Sequence, residues 1–466
     1  MPIRVPSSIP SQGTSTKLER KSAPGLYAYL ISGVAAISGL LFGYDIAVIN
    51  GAIVYLRDQF HLSPVMTELA ASSLLAGCIF GAAIAGWLSD RYGRRRVLSL
   101  AAILFGLSSI AAALPHNIHE FEAARFAGGI AIGVASMLAP LYIAEVSPAS
   151  IRGRLVSLNQ MAIVSGILLA YFTNWMLSFL GPNGWRWMFA TAAVPSSLLF
   201  LGLFFVPESP RWLVEFGRES DALRILERVG GTKSAPMELT EIRTAIAAES
   251  GSWKDLLLPQ MRKPLLLGVG LAILQQITGI NTVLFYGSLI FEKQLGMHSA
   301  SSAIGANVAI GIVNFLATIV ALFLMDKSGR RPLLLFSASV MAVCQFILGI
   351  TFWMKNIPVG LVLLAMLACV ASYAVGLGPA TWVLMAEIFP TRIRGRAMSI
   401  ANGFLWIASF TLTVTFLSLA KAVTVSGAFW IYAGMCVLTF VLVWRVAPET
   451  KGRSLEEIEA LWRQQA

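Results

Sequence analysis

Apolar positions along this chain neither alternate nor gather into narrow helical stripes; they fill long runs. Stretches such as 74–88 and 97–114 recur along nearly the whole sequence. A run of roughly 18 or more apolar residues is long enough to cross hydrocarbon as a helix. Barrel strands would read as alternation over about ten residues, and the sequence contains no such stretches. The pattern predicts an all-α membrane protein with twelve spans, at 26–56, 66–89, 97–115, 119–145, 155–180, 185–206, 264–291, 300–325, 332–354, 357–386, 396–420 and 426–447.

Composition strengthens that reading. Charged residues make up 13% of the 466 and hydrophobic residues 56%, against about 25% charged in an ordinary soluble domain. The net charge of +11 would suit nucleic acid if it were clustered on one face, but its distribution points elsewhere. One set of short loops carries Arg91, Arg94, Arg95 and Arg96, then Arg152 and Arg154, then Lys327, Arg330 and Arg331, then Arg392, Arg394 and Arg396. The opposite set carries only Arg57, Arg186, Lys293, Lys355 and Lys421. By the positive-inside rule the first set, and with it both termini, is cytoplasmic. That asymmetry accounts for the basic excess, so the expected partner is the lipid bilayer and no nucleic acid. The four cysteines fall singly inside apolar spans without metal-ligand spacing, which predicts small core residues, no metal and no cofactor.

Short motifs repeat between the two sets of six spans. Asp90-Arg91-Tyr92-Gly93-Arg94-Arg95 returns as Asp326-Lys327-Ser328-Gly329-Arg330-Arg331. Glu145 with Arg152-Gly153-Arg154 returns as Glu387 with Arg394-Gly395-Arg396, and Pro207-Glu208-Ser209 as Pro448-Glu449-Thr450. The shared offset of roughly 240 residues and the shared order indicate two six-helix halves, the plan of alternating-access carriers. The expected organisation is a polar cytoplasmic tail at 1–25, an N-terminal bundle at 26–206, a cytoplasmic helical linker at 207–262, a C-terminal bundle at 263–447 and a cytoplasmic tail at 448–466. Within the linker, helical patterning is confined to 222–229 and 239–248, with Gly230-Gly231 between them.

The repeated charges suggest a cytoplasmic gating network of Asp90, Arg94, Glu145, Arg152, Asp326, Arg330, Glu387 and Arg394, whose pairs hold the inner ends of the halves together and release them. Two charges lie inside spans, Asp45 in the first and Arg125 in the fourth. Such groups are expensive in hydrocarbon unless paired or hydrated. Asp45 falls ~16 Å before the outer end of its span and Arg125 ~9 Å after the outer start of its own, so the two are expected to meet and to form a proton site. The second half carries amides instead, with Gln275, Gln276 and Asn281 in the seventh span. Gln160, Asn314 and Trp382 stand in the fifth, eighth and tenth. Each amide alone also suits an interhelical hydrogen bond. As a set beside an aromatic face they suit a neutral polyhydroxyl ligand. Nothing in the sequence pairs a nucleophile with a base or builds a phosphate loop, which excludes an enzyme.

With these residues in view, the chain resembles the sugar porters of the major facilitator superfamily across 26–460. The resemblance rests on Gly43-Tyr44-Asp45, Asp90 with Gly93-Arg94-Arg95, Pro207-Glu208-Ser209-Pro210-Arg211-Trp212, Gln275-Gln276 with Gly279-Ile280-Asn281, and Pro448-Glu449-Thr450-Lys451-Gly452, all in order. It implies sugar contacts at Gln160, Gln275, Gln276, Asn281, Asn314 and Trp382, and aromatic lining at Phe42 and Tyr286. Asn402 and Trp406 in the eleventh span join the candidate set. Asp at position 45 resembles proton symporters of the xylose and glucose type, where passive facilitators carry Asn. Phe285 before Tyr286 and Leu405 before Trp406 depart from the family pattern and leave the sugar as a hexose, a pentose or a polyol. The expectation is a monomeric proton–monosaccharide symporter of the bacterial inner membrane, with a passive facilitator, a polyol symporter and a non-transporting sensor as alternatives. The 18 residues after Pro448 are short for a sensor's signalling tail.

Overall fold

The computed structural model describes residues 26–148, 151–232, 234–248, 256, 258–295, 299–354, 359–389, 393–452 and 457–458. The two expected tails therefore lie largely outside the described residues. Those residues are helical, with no strand among them. Eleven helical runs are long and apolar enough to cross a bilayer. The last of them spans 53 residues, about 80 Å of helix against a hydrocarbon core of about 30 Å. It is two crossings, divided at Thr424, whose φ of 68° and ψ of 163° are non-helical. The twelve crossings of the hydropathy pattern are thus present. Large side chains such as Phe80, Leu107, Phe205 and Phe323 stand out on the surface, an apolar exterior that belongs in lipid.

The N-terminal half is built from α1 (Leu26–Gln59), α2 (Pro64–Tyr92), α3 (Arg94–Ala113), α4 (Ile118–Val146), α5 (Arg152–Ser178) and a sixth crossing interrupted at Thr191–Ala192, α6 (Gly184–Ala190) and α7 (Ala193–Leu203). Three short helices follow in the linker, α8 (Pro210–Glu215), α9 (Glu219–Gly230) and α10 (Ala235–Ala248). The C-terminal half has α11 (Pro259–Ile277), α12 (Ile280–Leu295), α13 (Ala300–Ser328), α14 (Arg330–Trp353), α15 (Val359–Val375), α16 (Leu377–Ile388) and α17 (Arg394–Val446). The seventh crossing is split between α11 and α12, and the tenth between α15 and α16.

Small residues let backbones approach where the halves are most tightly wound. A Cβ on Gly77 or Gly129 would collide with the facing helix of the α2–α4 pair, and one on Gly43 or Gly166 with that of the α1–α5 pair. These are packing glycines, as membrane helices use them. The turns α2–α3 and α13–α14 are single glycines, Gly93 and Gly329, at φ of 92° and 87°, a region that side chains with a Cβ avoid. In the linker, Trp212, Leu213, Ala222, Leu226, Ala235 and Leu239 form a small core of their own. Trp212 Nε1 donates to the Asp90 carbonyl at 3.0 Å, which docks the linker on the α2–α3 turn.

Candidate functional site

Arg125 reaches from α4 to Asp45 on α1. Its Nη1 donates to the Asp45 carboxylate and its Nη2 to the Asp45 carbonyl at 3.0 Å. Its guanidinium also lies 5.1 Å from the centre of the Phe189 ring. Both side chains are buried, at 3% and 2% exposure. Arg125 Nε has no partner among the described residues, so the carboxylate is the principal compensation for that charge. Opposite charges in so dry a place are costly to separate unless something else neutralises one of them. A proton on Asp45 would do so.

The expected amide cluster gathers around the break between α11 and α12. Asn281 Nδ2 donates to Gln276 Oε1 at 2.8 Å and to Ser409 Oγ at 2.8 Å, and Gln276 Nε2 to Gln275 Oε1 at 3.4 Å. Gln275 Nε2 bonds to the first turn of α16, donating to the carbonyls of Leu377 and Gly378 at 2.8 and 3.0 Å. Tyr286 is fully buried, and its hydroxyl donates to the Thr413 carbonyl at 2.7 Å; it braces α12 against α17. Phe42 of the first half meets Trp406 of the second, ring centres 5.5 Å apart. Asn402 Oδ1, Trp406 Nε1 and Thr381 Oγ1 are buried with no hydrogen-bond partner among the described residues. Gln160 on α5 and Trp382 on α16 are half-buried, and Asn314 on α13 is buried.

The charges expected to form a cytoplasmic gating network pair differently from expectation. Arg94 pairs with Glu145 at 3.0 Å with both side chains buried, and Arg330 with Glu387 at 2.9 Å. Each pair lies inside one half, so the described pairs do not tie the inner ends of the halves to one another. The physical reason is local: each arginine opens a helix directly after a glycine turn and meets the acid at the end of a neighbouring helix in the same bundle. Asp90 is largely exposed and lies 3.4 Å from Arg94. Arg152 is exposed on the linker side, where its charge opposes the upward shift that burial gives the Glu238 carboxyl of α10. Arg394 Nε donates to the Phe389 carbonyl at 3.2 Å. The side chain of Asp326 lies outside those described.

Several residues that matter were not singled out from the sequence. Glu208 accepts from the backbone N–H groups of Arg94, Arg95 and Ser209 at 2.9, 3.1 and 2.9 Å. Glu449 accepts from those of Arg330 and Arg331 at 3.2 and 3.1 Å. A carboxylate there satisfies free amides and complements the helix dipole. The repeat of Pro-Glu-Ser as Pro-Glu-Thr was the available signal. At the end of the molecule opposite the basic loops, described polar links do cross between the halves. Asn50 bonds to α12 and to Asn307 of α13, Arg57 pairs with Glu292 at 3.0 Å, and buried Glu68 accepts from Ser418 N and Oγ at 2.7 and 2.6 Å. Single polar residues near span ends carry no pattern that would have revealed these.

Known proteins place this arrangement. The profile of the sugar (and other) transporter family matches residues 31–462. The arabinose-proton symporter of Bacillus subtilis (strain 168) is 40% identical over 443 residues, covering 94% of this chain and 95% of that protein. The D-xylose-proton symporter of Escherichia coli (strain K12) is 40% identical over 474 residues, covering 94% and 96%. Among solved structures, the xylose transporter XylE from E. coli in a partially occluded inward-open conformation superposes with a TM-score of 0.82 at 37% identity, covering 92% of this chain and 100% of that one. The same major facilitator superfamily symporter bound to 6-bromo-6-deoxy-D-glucose gives 0.81 at 38% identity, covering 94% and 99%. Twelve membrane crossings in two halves, a buried carboxylate–guanidinium pair in one and an amide–indole cluster in the other thus belong to a transporter and not to an enzyme: this chain is a member of the sugar transporter family of the major facilitator superfamily.

Proposed function

We propose that this protein carries a neutral monosaccharide, a hexose or a pentose, across the membrane together with a proton. The observation that carries the reading is the buried Asp45–Arg125 pair on α1 and α4, within a helix that also presents Phe42 to Trp406 across the seam. Phe42, Gln160, Gln275, Gln276, Asn281, Tyr286, Asn314, Trp382, Asn402 and Trp406 form or support the sugar site. Hydroxyl groups of a sugar would complete the hydrogen bonding of Asn402 Oδ1 and Trp406 Nε1, and neutral donors and acceptors beside an indole face suit such a ligand better than an ion. Asp45 stays ionised beside Arg125 and takes up a proton when Arg125 withdraws.

Transport then needs only that the loaded and the empty carrier rock between halves while the singly loaded carrier does not. The acid–arginine pairs beside the two glycine turns brace the inner end of each bundle during that motion. One proton moving inward at about 100 mV releases about 2.3 kcal/mol, enough for roughly 50-fold accumulation. The basic loops set the orientation, with both termini and the linker in the cytoplasm of a bacterial cell, and the five-part division of the chain follows. The carrier works as a monomer, since its site lies between halves of one chain.

The test is uptake of labelled glucose, xylose, arabinose and galactose into proteoliposomes, with and without an imposed proton gradient, by wild type and Asp45→Asn. Gradient-driven accumulation that disappears in Asp45→Asn, while counterflow exchange survives, is the expected result. Gradient-independent equilibration by both proteins would make this a passive facilitator and Asp45 a structural partner of Arg125.

A further inference from the structure

The break between α11 and α12 lies between Gln276 and Asn281, at Thr278 and Gly279. Gly279 sits at a φ of 86°, and a Cβ there would press into the Tyr432 ring. Beyond it the chain tightens: the N–H of Thr282 donates to the Gly279 carbonyl at 3.1 Å. In an uninterrupted helix that N–H would serve the carbonyl of Thr278. The Thr278 carbonyl therefore loses its rung deep in the membrane, where no bulk water replaces it.

Gln345 supplies the missing donor. It stands in the middle of α14 at 0% exposure, and its Nε2 donates to the Thr278 carbonyl at 2.9 Å. Because the partner is an acceptor, the amide orientation is fixed by the bond itself. Its Oε1 has no partner among the described residues, so the side chain carries a desolvation penalty that an apolar residue of the same shape would avoid. Among the described residues, Cys436 Sγ is a second, weaker donor to that carbonyl at 3.8 Å. The first half gives an internal comparison. There α1 runs unbroken from Leu26 to Gln59. At the matching position of α3, counted from Arg94 as Gln345 is from Arg330, stands Ser109, whose hydroxyl donates to Gly106 of its own helix at 2.9 Å. The break and the amide that serves it occur together, in one half.

We propose that Gln345 is a positioning residue for the sugar site: its bond to the Thr278 carbonyl holds the angle between α11 and α12, and so the placement of Gln276 and Asn281 against the α17 face. It touches the break and not the ligand. The inference rests on the reading of the amide cluster as a sugar site, and its test separates the two.

The decisive comparison is Gln345→Met, which fills the same space without a donor, against Leu348→Ala, a buried change one turn along α14. Hydrogen–deuterium exchange of peptides covering 275–285 is measured first, on sugar-free protein. Exchange about 5- to 30-fold faster in Gln345→Met than in Leu348→Ala is expected; equal rates overturn the proposal. Binding of xylose and glucose to the monodisperse fraction follows, with Kd expected to weaken about tenfold in Gln345→Met and to hold in Leu348→Ala. Faster exchange with an unchanged Kd would overturn the positioning role. Faster exchange in a protein whose wild type binds none of the sugars would overturn the sugar-site reading, and with it the role at that site, while leaving Gln345 as the support of the break. Gln345→Asn, one methylene too short to reach, carries the same comparison if the methionine variant does not fold.

Discussion

Replacing Asn50 by alanine should open the side of the carrier opposite the basic loops. Asn50 stands on α1, fully buried, and its carboxamide works on both sides of one helical rung of α12. Nδ2 donates to the Leu284 carbonyl at 2.8 Å, and Oδ1 accepts from Ser288 N at 2.9 Å. These two groups are four residues apart and are natural partners of each other. Oδ1 also accepts from Ser288 Oγ at 2.5 Å, and the second Nδ2 hydrogen is shared between the Val283 carbonyl at 3.2 Å and Asn307 Oδ1 at 3.3 Å. Gly287 makes the approach possible, since a Cβ there would collide with Asn307 and crowd Asn50. When the halves part, the Leu284–Ser288 rung satisfies itself, so only the other two bonds are net losses. At about 0.6–1 kcal/mol each, closure is favoured by about 1.2–2 kcal/mol. Asn50→Ala should therefore shift the ratio of open to closed protein on that side by roughly 8- to 30-fold. Spin labels at Val65→Cys and Lys421→Cys, on exposed positions of the two halves at that end, report the separation by pulsed dipolar spectroscopy. The four native cysteines are buried. A longer-distance population should grow in Asn50→Ala at neutral pH without sugar. An unchanged distance distribution would refute the reasoning, because the bonds of Asn50 outside the Leu284–Ser288 rung would then contribute nothing to closure.

Glu208→Ala removes the acceptor from three backbone N–H groups and should destabilise the detergent-solubilised protein by about 1–3 kcal/mol. Glu208→Gln keeps an acceptor but loses the charge–dipole interaction and should cost about 0.5–1 kcal/mol; equal melting temperatures for all three proteins would contradict the capping role. Gly129→Ala places a methyl against the backbone of α2 and should cost about 1–3 kcal/mol by overpacking. Gly86→Ala, with open space around it, should melt like wild type, and matching losses in both would sink the close-packing account.

The architecture and part of the site were legible because they depend on short-range properties. Hydropathy over some twenty residues marks a crossing whatever it packs against, so the twelve spans emerged at nearly their observed places, including two where the structure runs a single helical stretch through Thr424. Asp45 and Arg125 were legible for a related reason: an ionised group in hydrocarbon requires a partner, and few were available at that depth. The repeated motifs disclosed the two halves directly. Partner choice was another matter. Arg94 and Arg330 each had several acids at the same membrane level, and only the packing of the helices gave them Glu145 and Glu387 inside their own bundles. Gln275 and Tyr286 read as ligand groups, and only the structure shows that they also bond to the first turn of α16 and to α17. Glu208 was legible only as part of a repeated motif and not by its role, and Asn50, Glu68 and Gln345 drew no notice, because their partners lie tens to hundreds of residues away. The sequence by itself determined the membrane class, the number of crossings, the duplication and the charged pair, since local pattern and the energetics of hydrocarbon suffice for these. The tertiary structure alone decided which polar groups face the seam and which are consumed holding broken helices, since a hydrogen bond is settled by ångström-scale approach between distant segments.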